Sequence, residues 1–425
     1  MQIKVNKRVL SWAFYDWANS AYATVVLAGF FPLFFKQYWS STADVSVSTF
    51  QLGLANSLAS TIIVILAPLL GAIADVNNSK KKLLLVFAVL GILMSGSLYF
   101  VAQHETLLAL ILFVLSAIGF SGSVVFYDAL IVNVCESKDY DKVSSLGYAL
   151  GYLGGGVLFA FDVYMTLNPR LFGFASAADA VLFSFMSVSA WWFVFSLPLF
   201  FNVHETRGIQ RVNIRQAISG GISQLKNTFH NIRKLRMVFL FLLAYWLYID
   251  GVDTIVRMAV DYGMSLGFDS GDLIMALLIT QFVGFPAAIA FGMLARYIGT
   301  KAGILIGILI YVIVTVVASR IQSTYEFYLL AVMIGLVQGG VQALSRSFYA
   351  RIIPRHQTAE FFGFYNMLGK FAAVIGPVMM GLVSVMTQEP RLSILSISVL
   401  FVMGGILLYF VDEQKAKSML VEYVK

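Results

Sequence analysis

Long runs of apolar residues, separated by short polar segments, dominate the chain. Most runs have about 20 residues or more, the length that an α-helix needs to cross the hydrocarbon core of a bilayer. The alternation of polar and apolar positions that is typical of an outer-membrane barrel is absent. The pattern therefore predicts an all-α polytopic membrane protein with twelve transmembrane helices. The predicted spans are roughly residues 11–36, 50–74, 83–102, 106–134, 143–166, 179–201, 237–262, 272–294, 302–319, 325–350, 360–387 and 392–411.

Composition supports this prediction and excludes other classes of protein. The 425 residues are 59% hydrophobic and 12% charged, whereas soluble domains carry about 25% charged residues. The net charge of +7 does not indicate nucleic-acid binding, because the basic residues lie in short loops between apolar runs. A single cysteine, Cys135, excludes an intrachain disulfide and a cysteine-based metal site. We expect no cofactor and no metal.

The positions of Lys and Arg predict the orientation. One set of connections is rich in them, and the alternate set contains only Lys36, Arg170, Arg320 and Arg391. By the positive-inside rule, both termini are expected in the cytoplasm, with the protein in the inner membrane. The first run contains Asp16 and ends without a cleavage site, so we interpret it as an uncleaved span. The basic set comprises Lys4, Lys7, Arg8, Lys80, Lys81, Lys82, Lys138, Lys142, 207–236, Arg296, Lys301, Arg351, Arg355, Lys415, Lys417 and Lys425.

The longest polar segment divides the spans into two groups of six. It predicts an N-terminal lobe over residues 1–201, a cytoplasmic linker over 202–236 and a C-terminal lobe over 237–425. The linker is either a plain connector or includes a helix on the membrane surface. Weak similarity between the two groups, such as "GSVVFYDALIVN" in span four and "GGVQALSRSFYA" in span ten, is what two pseudo-symmetric repeats would give.

Two motifs resemble a known family. The loop "GAIADVNNSKKK" (71–82) resembles the G-x-x-x-D-(R/K)-x-G-(R/K)-(R/K) loop of the major facilitator superfamily, with Val76 and Asn78 departing from it. The opening "YDWANSAYAT" is similar to the branch that contains fungal vacuolar amino-acid effluxers and their bacterial relatives. The resemblance implies a two-lobed transporter with alternating access, often coupled to protons. It also implies that spans one, four, seven and ten line the cavity.

Ionisable groups within the spans are the candidate functional residues. Such a group costs about 2.5–3.5 kcal/mol in a lipid-facing position, so it normally faces the bundle interior. Asp16 and Asn19 share one face of span one, and Asp250, Asp253 and Arg257 share one face of span seven. We expect proton coupling at Asp16, Asp250 and Asp253. We expect substrate binding at Asn19, Arg257, Gln281, Gln338, Gln342, Arg346, Asn366 and Lys370.

Several of these residues have a second interpretation. Asp75, Lys81 and Asp128 are expected to form a cytoplasmic gate, because the resemblance places an acid at the end of span four against the basic part of the 71–82 loop. Asp16 either joins such a latch or lines a wet pathway, and Arg346 either binds substrate or pairs with an acid. Three glycines spaced by four, Gly147, Gly151 and Gly155, indicate close helix packing.

The functional hypothesis is a secondary active transporter rather than an enzyme, so we expect no catalytic residues. The chain lacks a phosphate-binding loop and a protease constellation, and the four histidines lie in predicted loops. The expected cargo is a small polar metabolite, with an amino acid favoured by the resemblance, carried by a monomer. The alternatives are a larger anion, such as a carboxylate siderophore or a phosphorylated metabolite, and a membrane receptor or scaffold without transport.

Overall fold

The computed structural model describes residues 6–42, 45–205, 235–387 and 389–424. Within them, twelve helices are long and apolar enough to cross a membrane, and no strand occurs in these ranges. The spanning helices are α1 (Lys7–Trp39), α2 (Val45–Asn77), α3 (Lys80–Ser97), α4 (Thr106–Ala129), α5 (Tyr140–Leu167), α6 (Ala177–Asn202), α7 (Arg236–Ser265), α8 (Ser270–Ile298), α9 (Thr300–Ala318), α10 (Thr324–Ile352), α11 (Thr358–Thr387) and α12 (Arg391–Tyr409).

The predicted fold class and number of spans are confirmed. Most helices extend a few residues beyond the apolar run that predicted them, as α5 does by beginning at Tyr140. An additional helix, α13 (Glu413–Val424), follows the last span and was not predicted. The predicted linker falls mainly on residues 206–234, which lie outside the described residues.

The helix α1 changes its winding twice. Its first half is an ordinary α-helix that Asn6 caps by accepting a hydrogen bond from the Val9 N–H at 2.9 Å. The backbone is π-helical over Tyr22–Phe30 and again over Phe35–Trp39. Because π-helical segments are rare and often occur at functional sites, this half of α1 is a candidate moving part.

The helices form two lobes, α1–α6 and α7–α12. In the first lobe α1 packs on α5 and α6, and in the second α7 packs on α11 and α12. The lobes meet where α5 packs against α8 and α10, and where α2 packs against α11. Since twelve spans return the chain to its starting side, α1 begins and α12 ends on one side, which we call the terminal face. The other side is the far face.

Candidate functional site

Arg346 of α10 joins the two lobes near the terminal face. Its guanidinium is buried and lies 3.3 Å from Asp16 Oδ2 of α1 and 3.1 Å from Asp128 Oδ1 of α4. It also donates from Nε to Ser144 Oγ at 2.8 Å and from Nη2 to the Ser144 carbonyl at 3.0 Å on α5. One cation from the second lobe therefore meets two carboxylates and a serine of the first lobe.

Neighbouring side chains fix the geometry of this cluster. The Tyr127 hydroxyl donates to Asp16 Oδ2 at 2.8 Å, and Asn366 Nδ2 of α11 donates to Asp128 Oδ2 at 3.2 Å. The Arg346 guanidinium lies over the rings of Trp12, at 4.8 Å, and Tyr148, at 4.4 Å. Arginine suits this position because its flat, weakly hydrated fork can stack on aromatic rings while it bonds carboxylates. Removing one member of such a buried pair costs about 3–5 kcal/mol.

A second contact across the lobes is built on Asp75, at the end of α2. Its carboxylate accepts hydrogen bonds from the backbone N–H groups of Ala359, at 3.1 Å, and Glu360, at 2.8 Å, in the first turn of α11. Lys80 Nζ lies 3.0 Å from Asp75 Oδ1 and donates to Thr358 Oγ1 at 2.6 Å. A carboxylate at a helix N-terminus is favourable because it satisfies free N–H groups and the helix dipole.

A third contact was missed by sequence reasoning. Asp141, in the first turn of α5, forms a salt bridge with Arg351, near the end of α10, and accepts hydrogen bonds from Ser347 and from Thr300 Oγ1. Arg351 also donates to the Ser137 carbonyl at 3.2 Å. Arg351 counted in the sequence only as an orientation signal. The available clue was that an acid and a base lie at the terminal-face ends of two helices.

A polar seam extends from the Arg346 cluster toward the middle of the bundle. The side chains of Asp16, Ser20 and Thr24 on α1 face the three glycines of α5, where a Cβ atom would lie 2.5–2.6 Å from their oxygens. Thr24 Oγ1 accepts a hydrogen bond from Gln281 Nε2 of α8 at 3.3 Å. The predicted close helix packing is thus present, and it holds the polar face of α1. The glycines are Gly147, Gly151 and Gly155.

Asp250 lies within the second lobe and not between the lobes. It is fully buried on α7, and its Oδ1 accepts hydrogen bonds from the Gly376 N–H at 3.0 Å and from Thr254 Oγ1 at 3.3 Å. Its Oδ2 is buried and has no hydrogen-bond partner among the described residues. Asp253 lies half-buried on the same helix, whereas the side chain of Arg257 is outside the described residues.

The predicted amides are placed at several points of the bundle. Asn19 is buried, and its Nδ2 has no hydrogen-bond partner in the described part of the chain; the same holds for Gln338 Oε1. Gln342 and Lys370 are half-buried on α10 and α11. The amides of Gln281 and Asn366, by contrast, are bonded to the first lobe as described above.

The structure groups the predicted gate residues differently. Lys80, and not Lys81, pairs with Asp75, while Asp128 bonds Arg346. Successive residues of a helix point about 100° apart, so Lys81 points in a different direction from Lys80. Its Nζ donates a hydrogen bond to the Val203 carbonyl at 2.8 Å. The backbone N–H groups of Lys80 and Lys81 each donate to Glu205 at 3.0 Å, and burial raises the pKa of that carboxyl.

Comparison with known proteins assigns the family. Residues 42–134 and 132–420 match the family described as "Vacuole effluxer Atg22 like". The chain belongs to this family. It is 39% identical over 419 residues to the "Uncharacterized MFS-type transporter YxiO" of Bacillus subtilis, covering 97% of both chains. It is 24% identical to "Autophagy-related protein 22" of Eremothecium gossypii over 397 residues, covering 85% of this chain and 76% of the relative.

Solved structures support the fold of this Atg22-like chain. The proton:xylose symporter XylE has a TM-score of 0.74 at 14% identity, with 98% of each chain covered. The human organic anion transporter MFSD10 has a TM-score of 0.72 at 16% identity, covering 96% of this chain and all of that structure. The family match and the 39% identity to an MFS-type transporter make the chain a multi-pass membrane transporter of the major facilitator superfamily, and not an enzyme.

Proposed function

We propose that this protein is a secondary active transporter that moves a small polar metabolite, with an amino acid favoured, by alternating access driven by a proton gradient. The observation that carries the proposal is the buried Arg346 cluster. Its cation belongs to one lobe and both of its carboxylates to the other, so it can exist only while the lobes are closed at the terminal face. A contact that must break to open one face is what alternating access requires.

The distribution of positive charge supports a cytoplasmic terminal face in an inner membrane. On this orientation both termini are cytoplasmic and the described structure is closed toward the cytoplasm. The proposed division places residues 1–201 and 237–425 in the two lobes and 202–236 between them. A monomer suffices for this mechanism, because one chain supplies both lobes.

The choice of an amino acid rests on chemistry and on family. A zwitterion needs groups of both signs and amides, and Asp253, Lys370, Asn19, Gln338 and Gln342 offer them within the spanning helices. The family description names vacuolar efflux. Proton handling is proposed for Asp16 and Asp250, because both are buried carboxylates within spanning helices.

Arg346 is better assigned to the gate than to the substrate. Its guanidinium has five N–H donors, and these are directed at Asp16, Asp128 and Ser144. The alternative of a larger anionic cargo is favoured by three cations within the spans, Arg257, Arg346 and Lys370. Assigning Arg346 to the gate leaves two of them for such a cargo.

The test is transport by the purified chain in liposomes. Under an inward proton gradient we expect accumulation of at least one amino acid in a labelled panel, and collapse of the gradient by a protonophore abolishes it. The Arg346→Met variant loses this accumulation, whereas Lys417→Gln, which breaks an exposed i,i+4 ion pair with Glu413, keeps it. Failure of every amino acid, with thermal stabilisation by carboxylates instead, would overturn the assignment of cargo.

A further inference from the structure

A buried carboxylic acid near the far face is not used by any of the contacts described so far. Asp162 lies on α5, five residues before the helix ends at Leu167, which is about 7.5 Å along the axis. Its side chain has no solvent exposure. Both of its oxygens lie close to the Ser187 hydroxyl of α6, at 3.1 Å and 3.2 Å, and that hydroxyl is also 2.8 Å from the Ser184 carbonyl.

The hydrogen atoms at this position do not suffice for an ionised carboxylate. A serine hydroxyl has a single hydrogen, while Asp162 Oδ1, Asp162 Oδ2 and the Ser184 carbonyl all face it. The Ser184 hydroxyl, which lies 3.0 Å from the Ala180 carbonyl, is also within reach of Asp162. Two hydroxyl hydrogens therefore face four oxygens: the two of Asp162 and the carbonyls of Ser184 and Ala180. An ionised buried carboxylate with so few donors costs several kcal/mol.

Charged neighbours do not compensate for the missing donor. The salt bridges between described residues do not include Asp162. The other acids on α1, α5 and α6 are held elsewhere: Asp16 by Arg346, Asp141 by Arg351, and Asp179 by the N-terminus of α6 at Ser176. On α8 and α10, which also pack against α5, Asp272 accepts from Thr324 and Tyr328, and Glu326 accepts from the backbone at Gln322 and Ser323. In the described part of the chain, no basic residue of these helices forms a salt bridge with Asp162; Arg346 and Arg351 pair with other acids. The remaining basic residues are Lys7, Arg8, Lys36, Lys142 and Arg296.

A proton on Asp162 completes the hydrogen bonding. The acid O–H then donates to Ser187 Oγ, and the hydrogen of Ser187 is released to the Ser184 carbonyl. The proton comes from water and returns to water, so no other reactant is required. The observed separations of 2.8–3.2 Å are those of hydrogen bonds.

The π-helical part of α1 packs against the two helices that carry this acid. Phe159, one turn before Asp162, contacts Phe30 with ring centroids 5.6 Å apart. Phe185, next to Ser184, contacts Phe31 and Phe34, which lie between the two π-helical segments, at 6.4 Å and 6.3 Å. A change in the hydrogen bonding between α5 and α6 is therefore next to the segment of α1 whose winding is irregular.

We propose that Asp162 is a proton-binding site of the transporter, filled from the far-face aqueous phase and coupled to α1 through the α5–α6 contact. Its role in transport rests on the proton coupling proposed above, but its protonation does not. The site differs from Asp250, which belongs to the second lobe.

Infrared difference spectroscopy on the reconstituted protein tests protonation directly. At neutral pH, the wild-type spectrum minus that of Asp162→Asn should show the carbonyl band of a protonated carboxylic acid. Ser187→Ala keeps the acid but removes its partner, so the band should remain at a shifted frequency. Absence of this band from the difference spectrum would overturn the proposal. If sodium then stabilises the wild type against heat and Asp162→Asn abolishes that stabilisation, the position is a sodium site instead.

Transport tests the coupling separately. One pH unit supports about a tenfold accumulation for one proton per substrate. We expect Asp162→Asn to lose this accumulation while keeping exchange of substrate across the membrane without a gradient. Unchanged accumulation by Asp162→Asn would overturn the coupling role. If no amino acid is accumulated even by the wild type, the proposed function fails while the infrared result still decides whether Asp162 is protonated.

Discussion

Two sets of buried carboxylates behave differently in this structure. Asp16 and Asp128 belong to the first lobe and share a cation from the second, Arg346. Asp250 belongs to the second lobe and accepts hydrogen bonds from Gly376 and Thr254 of the same lobe, without a salt bridge in the described ranges. The first arrangement must break when the lobes separate, whereas the second can persist. Buried acids in a spanning helix can therefore serve either the gate or the interior of one lobe, according to where their partners lie.

The single cysteine provides a native reporter for this comparison. Cys135 lies half-buried at the terminal face, between α4 and α5, and burial raises the pKa of its thiol to about 12, with Asp139 adding to the effect. Near neutral pH almost all of it is the unreactive thiol. Arg351 of the second lobe acts on this thiol, so we expect opening of the terminal face to reduce the burial of Cys135. Its pKa then falls toward the usual value of about 8.5 and the thiolate fraction rises. The rate of maleimide labelling thus measures opening.

The largest effect is expected for Arg346→Met. The substitution leaves Asp16 and Asp128 buried without their cation, which costs the closed state about 3–5 kcal/mol. Labelling of Cys135 should accelerate. The acceleration should be larger at pH 7 than at pH 9, because at pH 9 a larger fraction of the thiol is already ionised when the face is open. Lys417→Gln removes an exposed cation at the same face and is the matched control. A labelling rate equal to that of the wild type would show that the cluster does not hold the gate.

The sequence predicted the spans and the candidate acids because both depend on composition within one segment. Apolar length sets the spans, and the cost of exposing Asp16 or Asp250 to lipid places them inside. It did not predict the partner of Asp16, because Arg346 is 330 positions away and pairing depends on how the lobes close. Which of Lys80 and Lys81 pairs with Asp75 depends on the direction in which each side chain leaves the helix. Composition does not contain that information. Asp162 escaped notice because it lies close to the end of an apolar run.

A smaller effect is expected for Gly151→Ala in the polar seam. The new Cβ would lie 2.6 Å from Ser20 Oγ and 3.4 Å from the Asp16 carbonyl oxygen, so the Ser20 side chain must shift within the contact between α1 and α5. Overpacking of this kind costs about 1–3 kcal/mol, and it disturbs the packing of the helix that carries Asp16. We expect a lower thermal midpoint and a moderate rise in Cys135 labelling.

The control for the seam is Gly53→Ala on α2, where the added Cβ meets nothing within 4 Å. Both changes replace Gly by Ala within a helix and so raise helix propensity equally. The difference between their thermal midpoints therefore measures the effect of the contact with Ser20. Combining Gly151→Ala with Ser20→Ala should recover part of the lost stability, because it removes the colliding oxygen. Equal midpoints for Gly151→Ala and Gly53→Ala would show that the seam tolerates a wider spacing.

The smallest effect on the gate is expected for Asp250→Asn. The amide oxygen of Asn can accept the hydrogen bonds from Gly376 and Thr254, and its NH₂ group replaces the oxygen that has no partner in the described structure. Since these contacts lie within one lobe, Cys135 labelling should match the wild type. Stability should fall by about 1–3 kcal/mol, because the NH₂ group brings donors to a buried position without a partner among the described residues. Proton-driven accumulation should nevertheless be lost while substrate exchange continues, because Asn cannot carry a proton. Faster labelling of Cys135 would show that Asp250 contributes to the gate. Intact accumulation would show that it has only a structural role. Either result would remove the distinction between the two sets of carboxylates.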